Sequence, residues 1–248
     1  MQTDLPLLIM ADMPQSFCLT DLILSDQAME TIDLKPSQYQ NQMEAMIGGM
    51  SFALIHYSPE EIDEGLTIAD FDHIFCEPTD QKLSGIGIAL GEHIISAKHS
   101  ETINRALLQL TRCVGQSIKA TAIVWRPAQL QIGFDYFTGA TDHYIEGGPF
   151  PVLAQIAISK TAEGSFLTSG LSYFSGQEVT INTPAGYAPN EVVKRLVRIA
   201  HDIATNGKIK ESMETDGFIS GESLSLIPRQ DGQLVEIVIV PNEPRQLH

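Results

Sequence analysis

An α+β fold is the prediction for this chain of 248 residues: mixed, largely antiparallel sheets with three to four helices packed on them. Three observations lead there. β-like segments outnumber helical ones, and the helices interrupt them, as in layered sheet-and-helix folds. Two stretches, 100–116 and 189–206, repeat apolar residues at helical spacing between start and stop signals. Apolar residues make up 43 % of the chain and charged residues 19 %, enough to close a core at this length without a disulfide or a metal. A single globular domain over 1–248 is expected. The turn Gly147-Gly148-Pro149-Phe150-Pro151 is where it would divide, into an acidic N-terminal lobe, 1–146, and a C-terminal lobe, 147–248, two similar α/β lobes in that case.

The elements follow in order. Leu5 to Met10 is a short apolar patch, and Phe17 to Leu24 reads as a strand. Pro36 to Met50 reads as a helix, because Tyr39, Met43, Met46, Ile47 and Met50 recur at helical spacing, with Gly48-Gly49 weakening its end. Ser51 to Tyr57 is an apolar strand. Ser58-Pro59-Glu60-Glu61 has the form of a capping box, with Ser at the N-cap, Pro at the first helical position and Glu at the third; Gly65 stops this short turn. Ile86 to Ala97 is β-like and broken by Gly91. Ser100 opens a helix striped by Ile103, Leu107, Leu110 and Val114, which Gly115 ends. Lys119 to Trp125 is a strand stopped by Arg126-Pro127. Asp135, Asp142 and His143 fall in a loop with Gly139. Val152 to Ser159, Phe166 to Tyr173 and Glu178 to Asn182 read as strands. Pro189 to Asn206 is the clearest helix, closed by Gly207. Glu191 and Arg195 are spaced to pair, and Lys194, Arg195 and Arg198 form its solvent face. Phe218 to Ile227 and Leu234 to Val240 are strands joined at Asp231-Gly232.

Charge is the main functional content of the sequence. The chain has 31 acidic and 15 basic residues, a formal charge of −16. Residues 1–81 hold 15 acids and one base, Lys35, for −14; residues 82–248 hold 16 acids and 14 bases, for −2. Such a chain has no long-range attraction to nucleic acid or to anionic lipid. No apolar run approaches the roughly 20 residues of a membrane-spanning helix. Asp4 and the absence of Lys or Arg before Lys35 argue against a signal peptide. Cys18, Cys76 and Cys113 form no CxxC, and read as reduced, mostly buried thiols of a cytoplasmic protein.

From Glu92 onward the order of signals is distinctive. Gly91-Glu92-His93-Ile94-Ile95-Ser96 precedes the 100–116 helix, the strand to Trp125 and Phe150-Pro151-Val152. Then come Leu167-Thr168-Ser169-Gly170-Leu171-Ser172-Tyr173-Phe174-Ser175-Gly176-Gln177-Glu178, the 189–206 helix and Thr215-Asp216-Gly217-Phe218-Ile219. Over residues 92–220 this resembles the bacterial family called domain of unknown function 4261, whose members carry a T-x-G-L-x-x-F-G-x-x-E core; Ser175 here stands in place of the Gly. The resemblance implies a bacterial cytosolic α+β protein. Families of this kind also occur as immunity partners of secreted antibacterial toxins. It supplies no reaction and no catalytic residue.

The remaining constellations carry little chemistry. Asp70 and Asp72 would share one face of a strand with His73 on the other, but a metal ion needs three or more convergent ligands. Asp135, Asp142 and His143 fail on the same ground. Gly85, Gly87 and Gly91 are spaced wrongly for a dinucleotide loop and lie inside an apolar run. His56, His93 and His201 read as hydrogen-bonded buried imidazoles, and Cys113 as core. No catalytic residue, metal or cofactor is therefore expected. The densest acidic stretch, Glu60 to Asp80, holds Glu60, Glu61, Asp63, Glu64, Asp70, Asp72, Glu77 and Asp80 with no Lys or Arg among them. The first six are the candidate partner-binding residues. The expectation is a cytoplasmic binding protein for a basic protein toxin domain. In concrete form it is an immunity protein that plugs the active site of a cognate type VI or polymorphic effector with an acidic surface. A housekeeping scaffold, or a hydrolase with His93 or Asp216 in a pocket, remain the alternatives; the oligomeric state stays open.

Overall fold

The computed structural model describes residues 5–39, 41–65, 70–76 and 81–240. It is an α+β protein with two mixed, largely antiparallel sheets, and the chain divides into two units, 1–155 and 156–248.

The first unit is built on an eight-stranded sheet. Its strands are β1 (Leu7–Ala11), β2 (Ile32–Pro36), β3 (Gln42–Ile47), β4 (Met50–Tyr57), β5 (Asp72–Ile74), β6 (Ser84–Leu90), β7 (Ala122–Trp125) and β8 (Leu130–Gly133). They lie in the order β2-β3-β4-β6-β1-β7-β8-β5. Every pairing is antiparallel except β5 with β8, where Asp72 lies opposite Leu130. Among the described residues this unit has the helices α2 (Pro59–Gly65), α3 (Glu101–Ser117) and α4 (Phe134–Ile145) and the single turns α1 (Asp26–Met29) and α5 (Val152–Gln155). Successive side chains of β1 point to opposite faces. Leu8 and Met10 join Ala122, Val124 and Leu83 in a cluster that Ile62 of α2 closes. Leu7 and Ile9 turn the other way and are equally buried. There Trp125 donates its indole N–H to the carbonyl of Gln155, and Gln155 exchanges two amide hydrogen bonds of 2.9 Å with Asn104 of α3. This buried amide pair fastens the end of the unit to α3.

The second unit holds β9 (Ala157–Lys160), β10 (Phe166–Ser169), β11 (Glu178–Ile181), β12 (Met213–Asp216), β13 (Ser223–Arg229) and β14 (Leu234–Val240), in the order β12-β13-β14-β11-β10-β9. Only β11 and β14 run parallel. A single turn, α6 (Ser172–Ser175), and the long helix α7 (Pro189–Asn206) complete it. Val192, Leu196, Ile199 and Ile203 of α7 are buried.

Several elements differ from the sequence expectation, each for a local reason. The apolar patch at Leu5 to Met10 contains a central strand, β1, and its unbroken apolar run reflects burial on both faces. Phe17 to Leu24 is not a strand; it holds a 3-10 turn at Leu19–Asp21. Pro36 to Met50 is not a helix but β3 with the end of β2 and the start of β4, the middle of an antiparallel meander. Met43, Ala45 and Ile47 are buried at every second position, and Gly48 and Gly49, at φ 54° and 82°, form the hairpin turn that only left-handed residues allow. Residues 134–145 are not a loop but α4. Gly115 does not end α3; it lies inside the helix, where a Cβ would sit 2.3 Å from the Phe134 ring. Val152 begins a helical turn, and the expected strand there starts at Ala157. Phe166 to Tyr173 shortens to β10 followed by α6. Phe218 lies before β13, and β12 was not foreseen. The 147–151 turn is folded into the first unit, where Gly148 accepts a hydrogen bond from Arg105 and Phe150 packs edge-on against Tyr144.

Candidate functional site

The six candidate carboxylates are held by two short elements. Ser58 and Glu61 cap α2 reciprocally: the Ser58 N–H donates to Glu61 Oε2 at 2.7 Å, and the Glu61 N–H donates to Ser58 Oγ at 3.3 Å. Ile62 is the buried residue of this helix, and its removal from water is worth about 2 kcal/mol. With Ile62 pointing inward, Glu60, Glu61, Asp63 and Glu64 point outward and are exposed. Asp70 lies in a turn and Asp72 begins β5, so the two do not share a strand face; both are exposed. Phe71 between them packs against the same cluster as Ile62. The cluster therefore draws α2 and the 70–72 segment to one region of the first unit. Glu77 and Asp80 lie outside the described residues.

These carboxylates differ in their duties. Glu61 is spent on the cap. Asp63 forms an ion pair of 3.7 Å with Lys82, both side chains being about two-thirds exposed, a geometry that contributes little to stability. Glu60, Glu64, Asp70 and Asp72 have no ion-pair partner among the described residues. The first unit carries 20 acidic and 7 basic residues, a net charge of −13.

Other expected features resolve as structure. Among the described residues no three His, Cys, Asp or Glu side chains converge. Asp142 lies on α4 and pairs with Arg112 at 2.8 Å. His93 is exposed, not buried, and its Nδ1 lies 3.4 Å from Ser51 Oγ. His56 is half-buried with its Nε2 unpartnered, and burial lowers its pKa. His201 is also half-buried; its Nδ1 is 3.5 Å from Asp202 and its Nε2 is unpartnered. The thiols are not mostly buried: Cys18 is exposed, and Cys76 and Cys113 are partly so. A hydrogen bond with Thr20 lowers the Cys18 pKa, whereas burial raises that of Cys113. Gly85 and Gly87 leave room for Leu8 and Leu5, which a Cβ would approach to 2.7 Å. Two cavities, of about 270 and 210 Å³, are lined by residues around Phe17 and Ser117 and by residues around Ile203 and Met213.

The second unit contains two networks that the sequence reading missed, one partly buried and one buried. Glu178 accepts hydrogen bonds from the Thr168 hydroxyl at 2.7 Å and from the Gly170 and Ser172 N–H groups. The Thr168-to-Glu178 motif is thus a latch across a strand-turn-strand. Arg195, expected on the solvent face, is buried and grips Glu222 through Nε at 2.8 Å and Nη2 at 2.5 Å. Its third contact is to the Glu191 backbone carbonyl, not to the Glu191 carboxylate. That carboxylate instead caps α7 at the Ala188 N–H. The signal was present: Arg195 lies three residues after Val192 and four before Ile199, on the apolar stripe.

Among the described residues no helix is long and apolar enough to cross a membrane. No protein-family model matches the chain, and no curated protein and no solved structure matches it.

Proposed function

We propose that the chain is a binding protein whose α2–β5 surface covers a basic protein. The observation that carries this reading is a set of exposed carboxylates, Glu60, Glu64, Asp70 and Asp72, held around one apolar cluster, none of them with an ion-pair partner among the described residues. Like charges gathered this way repel one another, and a cationic partner removes that cost while speeding association. The most concrete form is a cytoplasmic immunity protein that occupies the cleft of a secreted toxin domain. The charge argument supports it. The hydrolase alternative asks for His93 or Asp216 in a pocket; both are exposed, and neither lines the cavities of about 270 and 210 Å³.

The test uses a tagged chain in its native strain. Its partner is identified and affinity is measured from 50 to 300 mM salt. A basic partner is expected, bound more weakly as salt rises. Glu60→Lys, Glu64→Lys, Asp70→Lys and Asp72→Lys combined weaken binding at least about tenfold and flatten the salt slope. A partner that binds this variant and the native chain equally removes the proposal.

A further inference from the structure

Phe75 is the most unusual exposed side chain of the first unit. Its relative exposure is 79 %, and its backbone is left-handed at φ 47°. Bulky residues rarely adopt that conformation, which costs roughly 1–3 kcal/mol in strain. Burial does not repay the cost, because the ring is in water. The ring is nevertheless fixed in place. It stacks on Tyr136 of α4, with centroids 4.5 Å apart and planes at 33°. From behind, Gly133 lets the Phe75 carbonyl approach so closely that a Cβ would sit 2.1 Å from its oxygen. The result is a two-ring platform at the edge strand of the sheet. Exposed Asp70 and Asp72 precede it on the chain, and exposed Asp135 is the neighbour of Tyr136.

Other rings of this protein show what such a platform holds. Arg105 covers Tyr144 at 4.6 Å, Arg195 lies over Tyr187 at 5.1 Å, and Arg195 and Arg198 both lie over Phe218 at 5.4 Å. No described Lys or Arg covers Phe75 or Tyr136. An aromatic face with exposed carboxylates three and five residues before it on the chain, and one beside Tyr136, is complementary to a guanidinium, which stacks flat on a ring and pairs its N–H groups with acids. We infer that the Phe75–Tyr136 pair is the anchor site for an arginine side chain presented by the basic partner. The inference rests on the acidic-surface reading above and names its central contact.

Isotope-labelled full-length chain is titrated with a hexa-arginine peptide and, separately, with hexa-lysine at 100 mM salt, and backbone amide shifts are followed. Shifts concentrated at 72–76 and 133–137 are expected, with hexa-arginine binding more tightly. Phe75→Asn accepts the left-handed backbone and lacks the ring. It keeps or raises the melting temperature and weakens hexa-arginine about fivefold. Phe75→Leu keeps apolar bulk, lacks the π face and shows the same loss. Unchanged binding by both variants, no binding by the native chain, or shifts spread evenly over the acidic residues overturns the anchor. Glu60→Lys with Glu64→Lys separates the two readings. If this pair weakens the peptide while the Phe75 variants do not, the acidic surface stands and the anchor falls.

Discussion

Arg195 and Glu222 form an ion pair with both side chains 3 % exposed. The Phe218 N–H and the Tyr187 hydroxyl also donate to Glu222. The Arg195 guanidinium holds the Glu222 carboxyl below its ordinary pKa. Arg195→Met leaves that carboxylate buried without its cation and should cost about 3–5 kcal/mol in urea unfolding. Adding Glu222→Leu should recover all but about 1–2 kcal/mol, the deficit being the Phe218 N–H and the Tyr187 hydroxyl that lose their acceptor. The pH dependence has a fixed sign. A carboxylate whose pKa is lowered by folding stabilises fully above its ordinary value of 4.5, and that contribution is lost as pH falls toward the lowered folded value. The native chain should therefore lose stability below about pH 4.5 more steeply than the double variant, measured by urea midpoints across that range.

At the scale of elements, α3 and α4 meet where Gly115 faces Phe134. Alanine is the better helix former by about 1 kcal/mol, so propensity alone favours Gly115→Ala. Packing opposes it, since the new Cβ would lie 2.3 Å from the Phe134 ring. Overpacking costs about 1–3 kcal/mol and should win. Gly115→Ala is expected to lower the thermal midpoint, and Phe134→Leu added to it should restore part of the loss. This contact also shows what the sequence could not disclose. A glycine near the end of a periodic stretch looks like a stop, and only the neighbouring helix reveals it as a close approach. Helix α4 was hidden for a related reason. Phe134, Phe137, Thr141 and Tyr144 make its buried stripe, but Gly139 and the acids between them suggested a loop. In the β2-β3-β4 meander, methionines at mixed spacing satisfied a helical period as readily as a two-residue one. Where local signals stood alone they sufficed. The reciprocal cap at Ser58 and Glu61 is formed, and α7 spans Pro189–Asn206 as its Pro and Gly signals required. The outward carboxylates of α2 were legible because one apolar residue, Ile62, sets the orientation of the helix. The Phe75–Tyr136 platform was not, because it joins residues 61 positions apart.

At the scale of the whole molecule, the acidic surface should be measurable as a cost to folding. The four carboxylates without ion-pair partners contribute nothing to caps, so their reversal isolates charge from structure. Glu60 in the first turn of α2 favours the positive end of the helix, and its loss costs about 0.3–1 kcal/mol; Lys at Glu64, near the other end, gains a similar amount. What remains is relief of repulsion within a unit of net charge −13. That repulsion reaches about 30 Å in 10 mM salt and about 3 Å in 1 M. The native chain should therefore melt at a higher temperature as salt rises over this range. The variant Glu60→Lys, Glu64→Lys, Asp70→Lys and Asp72→Lys should melt above it at 10 mM and level with it at 1 M, followed by circular dichroism. Together with weaker partner binding, that outcome would mean that the same carboxylates oppose folding and favour association, as expected of a surface shaped by its partner. If the variant is no more stable than the native chain in dilute salt, the carboxylates impose no folding penalty, and the argument from unrelieved repulsion fails.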